Sequence, residues 1–120
     1  MKTVNMKLNT TKYKLTIYTE TTCPGCAELK SLLKENAIPF HEKDITKDTT
    51  KSTGSHVGTY TTGNDNRWEF IDITREYPGV TMLVPLIAVE DVDGNTTHHS
   101  AGHDFDEAQD GIELLKQYFI

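Results

Sequence analysis

Two cysteines that lie three residues apart constrain this chain more than any other feature. Cys23 and Cys26 are the only cysteines in its 120 residues, and Pro24 directly follows the first of them. Residues 13–19 before the pair are rich in β-branched and aromatic side chains, and residues 24–37 have helical periodicity. A Cys-x-x-Cys pair at the junction of a strand and a helix is typical of thiol–disulfide exchange.

The position of the first cysteine explains why such a pair would be reactive. At a helix N-terminus, unpaired backbone N–H groups and the helix dipole favour negative charge, so they stabilise a thiolate over a thiol. Pro24 suits the first helical position, because an N–H there would have no partner within the helix. Cys23 is therefore predicted to be the exposed nucleophile. Cys26, one turn into the helix, is predicted to be the partner that closes the disulfide.

Charge and hydropathy argue against several other classes of protein. The 12 Lys and Arg residues against 18 Asp and Glu give a net charge of −6, which is unlike a nucleic-acid-binding surface. No apolar run approaches the roughly 20 residues of a membrane span. Residues 1–11 lack the apolar segment of a secretory signal. We therefore expect one cytoplasmic domain over residues 1–120, with no nucleic-acid or membrane partner. In that reducing compartment the cysteine pair is expected to be catalytic or metal-binding rather than a permanent structural disulfide.

Hydrophobic periodicity predicts an alternation of strands and helices in the first half of the chain. A first strand spans residues 13–19, a helix spans residues 24–37, and residues 38–44 form a second strand parallel to the first. Residues 46–64 are polar and interrupt the pattern, so we predict a long inserted loop there. Residues 1–11 are predicted to be a flexible tail.

The next part of the chain is predicted to form a helix and a β-hairpin. Asn66 and Glu69 match a capping box at the start of a helix that stops at residues 77–79. Residues 84–90 read as a strand, and residues 92–95 as the turn that leads to an antiparallel partner.

The last predicted element is a helix that follows a glycine-containing turn. Asp104 is predicted to cap this helix, with Glu107 at the capping-box position. The complete order predicts an α/β fold, in which a four-stranded mixed sheet is flanked by three helices on both faces.

These pieces together resemble the glutaredoxins, a family with the thioredoxin-like fold. Three stretches carry the resemblance: residues 18–26, 83–85 and 101–104. They are similar to the family's passage from strand to active site, its Thr-Val-Pro with a cis proline, and its glycine-rich turn into the last helix. The resemblance covers roughly residues 13–45 and 66–118.

The resemblance implies a thiol–disulfide oxidoreductase that uses glutathione and reduces protein disulfides or glutathione mixed disulfides. Cys23 would attack the substrate sulfur, and Cys26 or glutathione would resolve the mixed disulfide. The implied glutathione site consists of these residues: Pro24, Gly25, Val84, Pro85, Gly102, His103 and Asp104. No metal is implied, and we expect a monomer.

Three of these residues have a specific expected contact in the implied site. The backbone of Val84 would pair with the backbone of glutathione. Pro85, if cis, would lie beside Cys23. Asp104 and the N–H groups near it would hold the γ-glutamyl end of the tripeptide.

Four residues depart from the family's usual pattern. Glu20 stands where many relatives carry a lysine that holds a glutathione carboxylate, and Gly25 stands where they carry a bulky residue. Leu83 replaces a threonine, and His103 replaces a small residue.

Two alternatives therefore stay open. One is a dedicated electron donor, for example to ribonucleotide reductase, that is recharged by a thioredoxin-reductase-type enzyme. The other is a glutathione-assisted iron–sulfur carrier, which would need two chains because two cysteines cannot fill a four-thiolate site.

Overall fold

The structure is a computed structural model that describes residues 7–46 and 65–119. Its elements follow in this order: β1 (Lys14–Thr19), α1 (Pro24–Glu35), β2 (His41–Asp44), α2 (Asp65–Glu76), β3 (Leu86–Glu90), β4 (Thr96–Ser100), α3 (Ala108–Leu115) and a short 3-10 helix (Lys116–Tyr118). The strands form one mixed sheet in the order β2-β1-β3-β4. The predicted fold class is confirmed, and most of the predicted loop 46–64 lies outside the described residues.

The central strand β1 gives the sheet its mixed character. It pairs in parallel with β2 and antiparallel with β3, and β3 pairs antiparallel with β4. Side chains alternate between the two faces of a strand. Leu15 and Ile17 of β1 therefore enter one core cluster, and Tyr18 enters a second cluster on the opposite face.

The first core lies between the sheet and the helices α1 and α3. Leu29 and Leu33, four residues apart on α1, are completely buried in it together with Ile112 and Leu115 of α3. The two helices approach closely at Gly111, where an added Cβ would lie 3.4 Å from Leu29 Cδ1. This packing fixes α1, and therefore its N-terminus, against the sheet.

The opposite face of the sheet is covered by α2 through apolar and charged contacts. Phe70 of α2 is buried beside Tyr18. The Tyr18 hydroxyl donates to Glu69 at 2.6 Å, and Lys43 Nζ donates to the same carboxylate at 2.7 Å. Burial, followed by the hydrogen bond to Glu69, raises the pKa of Tyr18 above its ordinary range. The hydrogen bonds of Tyr18 and Lys43 to Glu69 therefore join α2 to β1 and β2.

Both predicted helix caps are wrong. Asn66 lies within α2 rather than before it, and its side-chain amide donates to the carbonyl oxygen of Asp44 at 3.2 Å. The N-cap of α3 is Glu107, which forms a reciprocal capping box with Asp110. Asp104 does not cap α3, because its carboxylate instead accepts the N–H of Ser100 at 2.7 Å. The last helix consequently begins one turn later than predicted.

Two further boundaries differ from the prediction. Ala37 adopts a left-handed backbone with φ 54°, and the N–H of Ile38 returns to Leu33, so Ile38 closes the end of the helix and β2 starts only at His41. Part of the predicted tail is packed against the core. Leu8 is 3% exposed and forms a β-bridge with Phe119.

No helix among residues 7–46 and 65–119 is long and apolar enough to cross a membrane.

The paired histidines of β4 are partly buried on opposite faces of the sheet. Burial lowers the pKa of His98, with a smaller effect from His99 in the same direction and one from Glu76 against it. Burial also lowers the pKa of His99, which lies 2.7 Å from the Tyr118 hydroxyl, while Asp104 acts in the opposite direction. Both imidazoles therefore take up a proton at a lower pH in the folded protein than in the unfolded chain.

We expect the folded protein to lose stability as the pH falls below about 6.5, the ordinary pKa of histidine. As the pH falls, the unfolded chain protonates its two histidines before the folded chain does. The stability that the neutral histidines contribute is therefore present above about pH 6.5 and is lost as the pH falls below it. Urea denaturation at several pH values measures this loss. The double substitution His98→Gln and His99→Gln should flatten the dependence, and His41→Gln on the exposed strand β2 should not. Equal slopes in all three proteins would contradict the prediction.

Candidate active site

The two cysteines form a disulfide at the N-terminus of α1. Cys23 is the N-cap residue, with an extended backbone at φ −94° and ψ 110°, and Pro24 is the first helical residue. The backbone N–H of Cys26 donates to Cys23 Sγ at 3.0 Å. A negative charge on this sulfur would therefore gain both a hydrogen bond and the positive end of the helix dipole.

The two sulfurs differ sharply in their access to solvent. Cys26 is completely buried, whereas Cys23 is partly exposed and the intervening residues Pro24 and Gly25 are exposed. An incoming thiol or disulfide can therefore reach Cys23 but not Cys26. This asymmetry is the one that the predicted roles of nucleophile and resolving cysteine require.

The loop before β3 flanks the disulfide on a second side. The peptide bond between Val84 and Pro85 is cis, as the resemblance implied, and Pro85 is buried. The carbonyl oxygen of Val84 lies 3.9 Å from Cys23 Sγ. The backbone of this loop thus offers a surface along which a substrate segment could lie beside the sulfur.

The loop before Cys23 is held to the end of β2 by side-chain hydrogen bonds. Thr21 N–H donates to Thr46 Oγ1 at 3.0 Å, and the Thr21 hydroxyl donates to Asp44 at 3.0 Å. The N–H of Cys23 donates to the carbonyl of Glu20 at 3.3 Å, which places Glu20 in the same turn as the sulfur. The sequence did not predict this anchor, since it depends on residues 25 positions apart.

The turn between β4 and α3 contains the other residues implied for the site. The N–H groups of His103 and Asp104 donate to the carbonyl of Ser100, at 3.2 and 2.8 Å. The carboxylate of Asp104 accepts the N–H of Ser100 and lies 3.1 Å from Nδ1 of His103. The backbone N–H groups of His103 and Asp104 and the carboxylate of Asp104 are therefore hydrogen-bonded within the turn itself.

Leu83 joins that turn to the cis-proline loop. Gly102 has a left-handed backbone with φ 80°, and a Cβ added to it would lie 2.8 Å from Leu83 Cδ1. The Leu83 side chain thus lies directly on the glycine, although 54% of it stays exposed. The neighbouring Met82 is 67% exposed. Only the replacement of a threonine by leucine could have pointed to this contact.

Among residues 7–46 and 65–119, no group of three or more His, Cys, Asp and Glu side chains is placed to hold a metal ion.

Comparison with known proteins gives one family match. A family model described as Glutaredoxin matches residues 15–60, a segment that contains β1, α1, β2 and both cysteines. The search of curated proteins found no match to the chain. The family match and the observed sheet topology confirm the resemblance and the thioredoxin-like fold. With the Cys23–Cys26 pair, they support a thiol–disulfide oxidoreductase.

Proposed function

We propose that this glutaredoxin-like chain reduces disulfides in proteins, or mixed disulfides of glutathione, through a Cys23–Cys26 dithiol. The observation that carries the proposal is the disulfide at the N-terminus of α1, with one reachable sulfur and one buried sulfur. A permanent structural bridge across two intervening residues would close only a short loop, so it would add little to stability. Such a pair is better explained by a redox role.

In the proposed reaction, two electrons pass from the dithiol to the substrate. The Cys23 thiolate attacks one sulfur of the substrate disulfide, and the other sulfur leaves as a thiolate. Cys26 then gives up its proton and attacks Cys23 Sγ, which releases the second substrate sulfur. The protein is left with the Cys23–Cys26 disulfide, and a thiol reductant must restore the dithiol.

Glutathione is the reductant that the resemblance implies. Support for it comes from the Val84 backbone, because no described residue accepts a hydrogen bond from the Val84 N–H. An extended peptide backbone can add to such an edge in the manner of a β-strand. In this proposal Pro24, Gly25 and Pro85 form the floor of the site, and residues 102–104 form its far end.

A second candidate is a dedicated electron donor to one protein, for example ribonucleotide reductase, with recharging by a thioredoxin-reductase-type enzyme. Two observations favour it. The acidic Glu20 lies in the turn that leads to Cys23, and the N–H groups of His103 and Asp104 are bonded to the carbonyl of Ser100 rather than free for a ligand.

We propose that in either case the protein acts as a cytoplasmic monomer.

A single-turnover experiment tests the proposal. The protein is reduced with dithiothreitol, freed of it, and mixed with an excess of a protein that contains disulfides, such as native insulin. We expect about two new substrate thiols per chain, as one dithiol supplies two electrons. NADPH is then supplied either with glutathione and glutathione reductase or with thioredoxin reductase, to find which system sustains turnover. Failure to transfer electrons in the first step would contradict the proposed function.

A further inference from the structure

We propose that Leu83 is a specificity-determining residue that keeps the γ-glutamyl end of glutathione out of the site and favours disulfides within protein segments. This inference rests on the proposed function, since it names the substrate class of the same site. Its basis is the contact between Leu83 and Gly102, which closes the space between the cis-proline loop and the turn at residues 100–104.

The closing atom is one that a threonine at this position would not have. A Cβ at Gly102 would lie 2.8 Å from the Cδ1 atom of Leu83, so this δ-carbon lies against the glycine backbone. A threonine side chain ends at its γ atoms. The usual residue would therefore leave open the space that Leu83 fills in this chain.

The hydrogen-bonding groups of the turn point to the same conclusion. The N–H groups of His103 and Asp104 are both directed at the carbonyl of Ser100. The last helix begins only at Ala108, behind its N-cap Glu107, so its positive dipole end lies one turn farther along the chain than expected. A carboxylate brought to this turn would meet Asp104 and would have to compete with the Ser100 carbonyl for these two N–H groups.

The surface that replaces the glutathione site suits an apolar protein segment. Met82 and Leu83 are exposed side by side and directly precede Val84, whose carbonyl lies 3.9 Å from Cys23 Sγ. Burial of exposed apolar side chains stabilises a complex. Glutathione has no apolar side chain that could cover them. A protein strand that runs along Val84 with an apolar residue next to its cysteine would cover both.

The test measures recognition of the γ-glutamyl group directly. One reporter thiol is joined in mixed disulfides to glutathione and to N-acetyl-cysteinylglycine, in which an acetyl group replaces the γ-glutamyl group and the cysteine nitrogen stays an amide, and the two rate constants are compared. For the unaltered chain we expect nearly equal rates. For Leu83→Thr we expect the preference for glutathione to rise by about threefold to tenfold, the range that one net hydrogen bond contributes.

Met82→Thr is the matched control, because Met82 lies in the same loop and is more exposed than Leu83. It should leave the glutathione preference of the unaltered chain unchanged. Both variants should reduce more slowly a peptide disulfide with leucine beside its cysteine, because both remove apolar surface. A strong glutathione preference in the unaltered chain, or an equal preference in all three proteins, would overturn the inference.

Failure of the inference can be distinguished from failure of the proposed function. If the unaltered chain and both variants reduce the peptide disulfide by a Cys23-dependent route, the function stands whatever the glutathione preference is. Leu83→Ala provides a second variant, and its far-ultraviolet circular dichroism and thermal unfolding show whether the fold is retained.

Discussion

Replacing Cys23 by serine is expected to lower the rate of disulfide reduction by at least about 1,000-fold, as loss of a nucleophile does in covalent catalysis. A serine hydroxyl is hardly ionised at neutral pH and cannot form a disulfide, so the first step is lost. The sulfur removed is the partly exposed one at the N-terminus of α1. Single-turnover reduction of a protein disulfide measures the effect.

The matched variant is Cys26→Ser, which removes the buried sulfur but leaves the exposed one. It should still attack a substrate disulfide, but the reaction should stop at a mixed disulfide that mass spectrometry detects. Release of the protein substrate then requires an added thiol. Substantial activity in Cys23→Ser, or complete reduction of protein disulfides by Cys26→Ser alone, would contradict the assigned roles.

The second large effect is expected on stability, from Leu29→Ala. Leu29 is completely buried on α1, where it packs in the core against α3 near Gly111. Truncation of a buried leucine leaves a cavity and costs about 2–5 kcal/mol of unfolding free energy. A large part of the marginal stability of a small domain would be lost. Denaturant unfolding measures the change directly.

Glu28→Ala is the control for this prediction, because Glu28 neighbours Leu29 on α1 but is exposed. It should change the unfolding free energy by less than about 0.5 kcal/mol, as is usual for surface positions. If Leu29→Ala were as mild as Glu28→Ala, the contact between α1 and α3 would not hold the helix that carries the cysteines.

The elements with strong periodicity could be predicted from the sequence. The strand β1 and the helix α1 have regular apolar patterns, and the hairpin is marked by the apolar run of β3 and the Asp93-Gly94 turn that follows it. The predicted caps at Asn66 and Asp104 were wrong for a common reason. Each residue type is suited to a helix cap, but a backbone group outside the helix, at Asp44 or Ser100, competes for the same side chain.

The chemistry of the site could be predicted more fully than its shape. The cysteine pair defines a strand-to-helix junction by itself, and the cis bond at Pro85 followed from the resemblance. The contact of Leu83 with Gly102 could not be predicted, because it depends on how closely two loops approach in space. The docking of Leu8 on the core was missed for the same reason.

The most direct test of a reactive Cys23 is the titration of its thiol in the reduced protein by ultraviolet absorbance. We predict an inflection well below pH ~8.5, the pKa of a free cysteine, because the helix N-terminus and the Cys26 N–H stabilise the thiolate. The inflection should be absent in Cys23→Ser. An inflection at or above the ordinary value would contradict the central claim that α1 activates this sulfur.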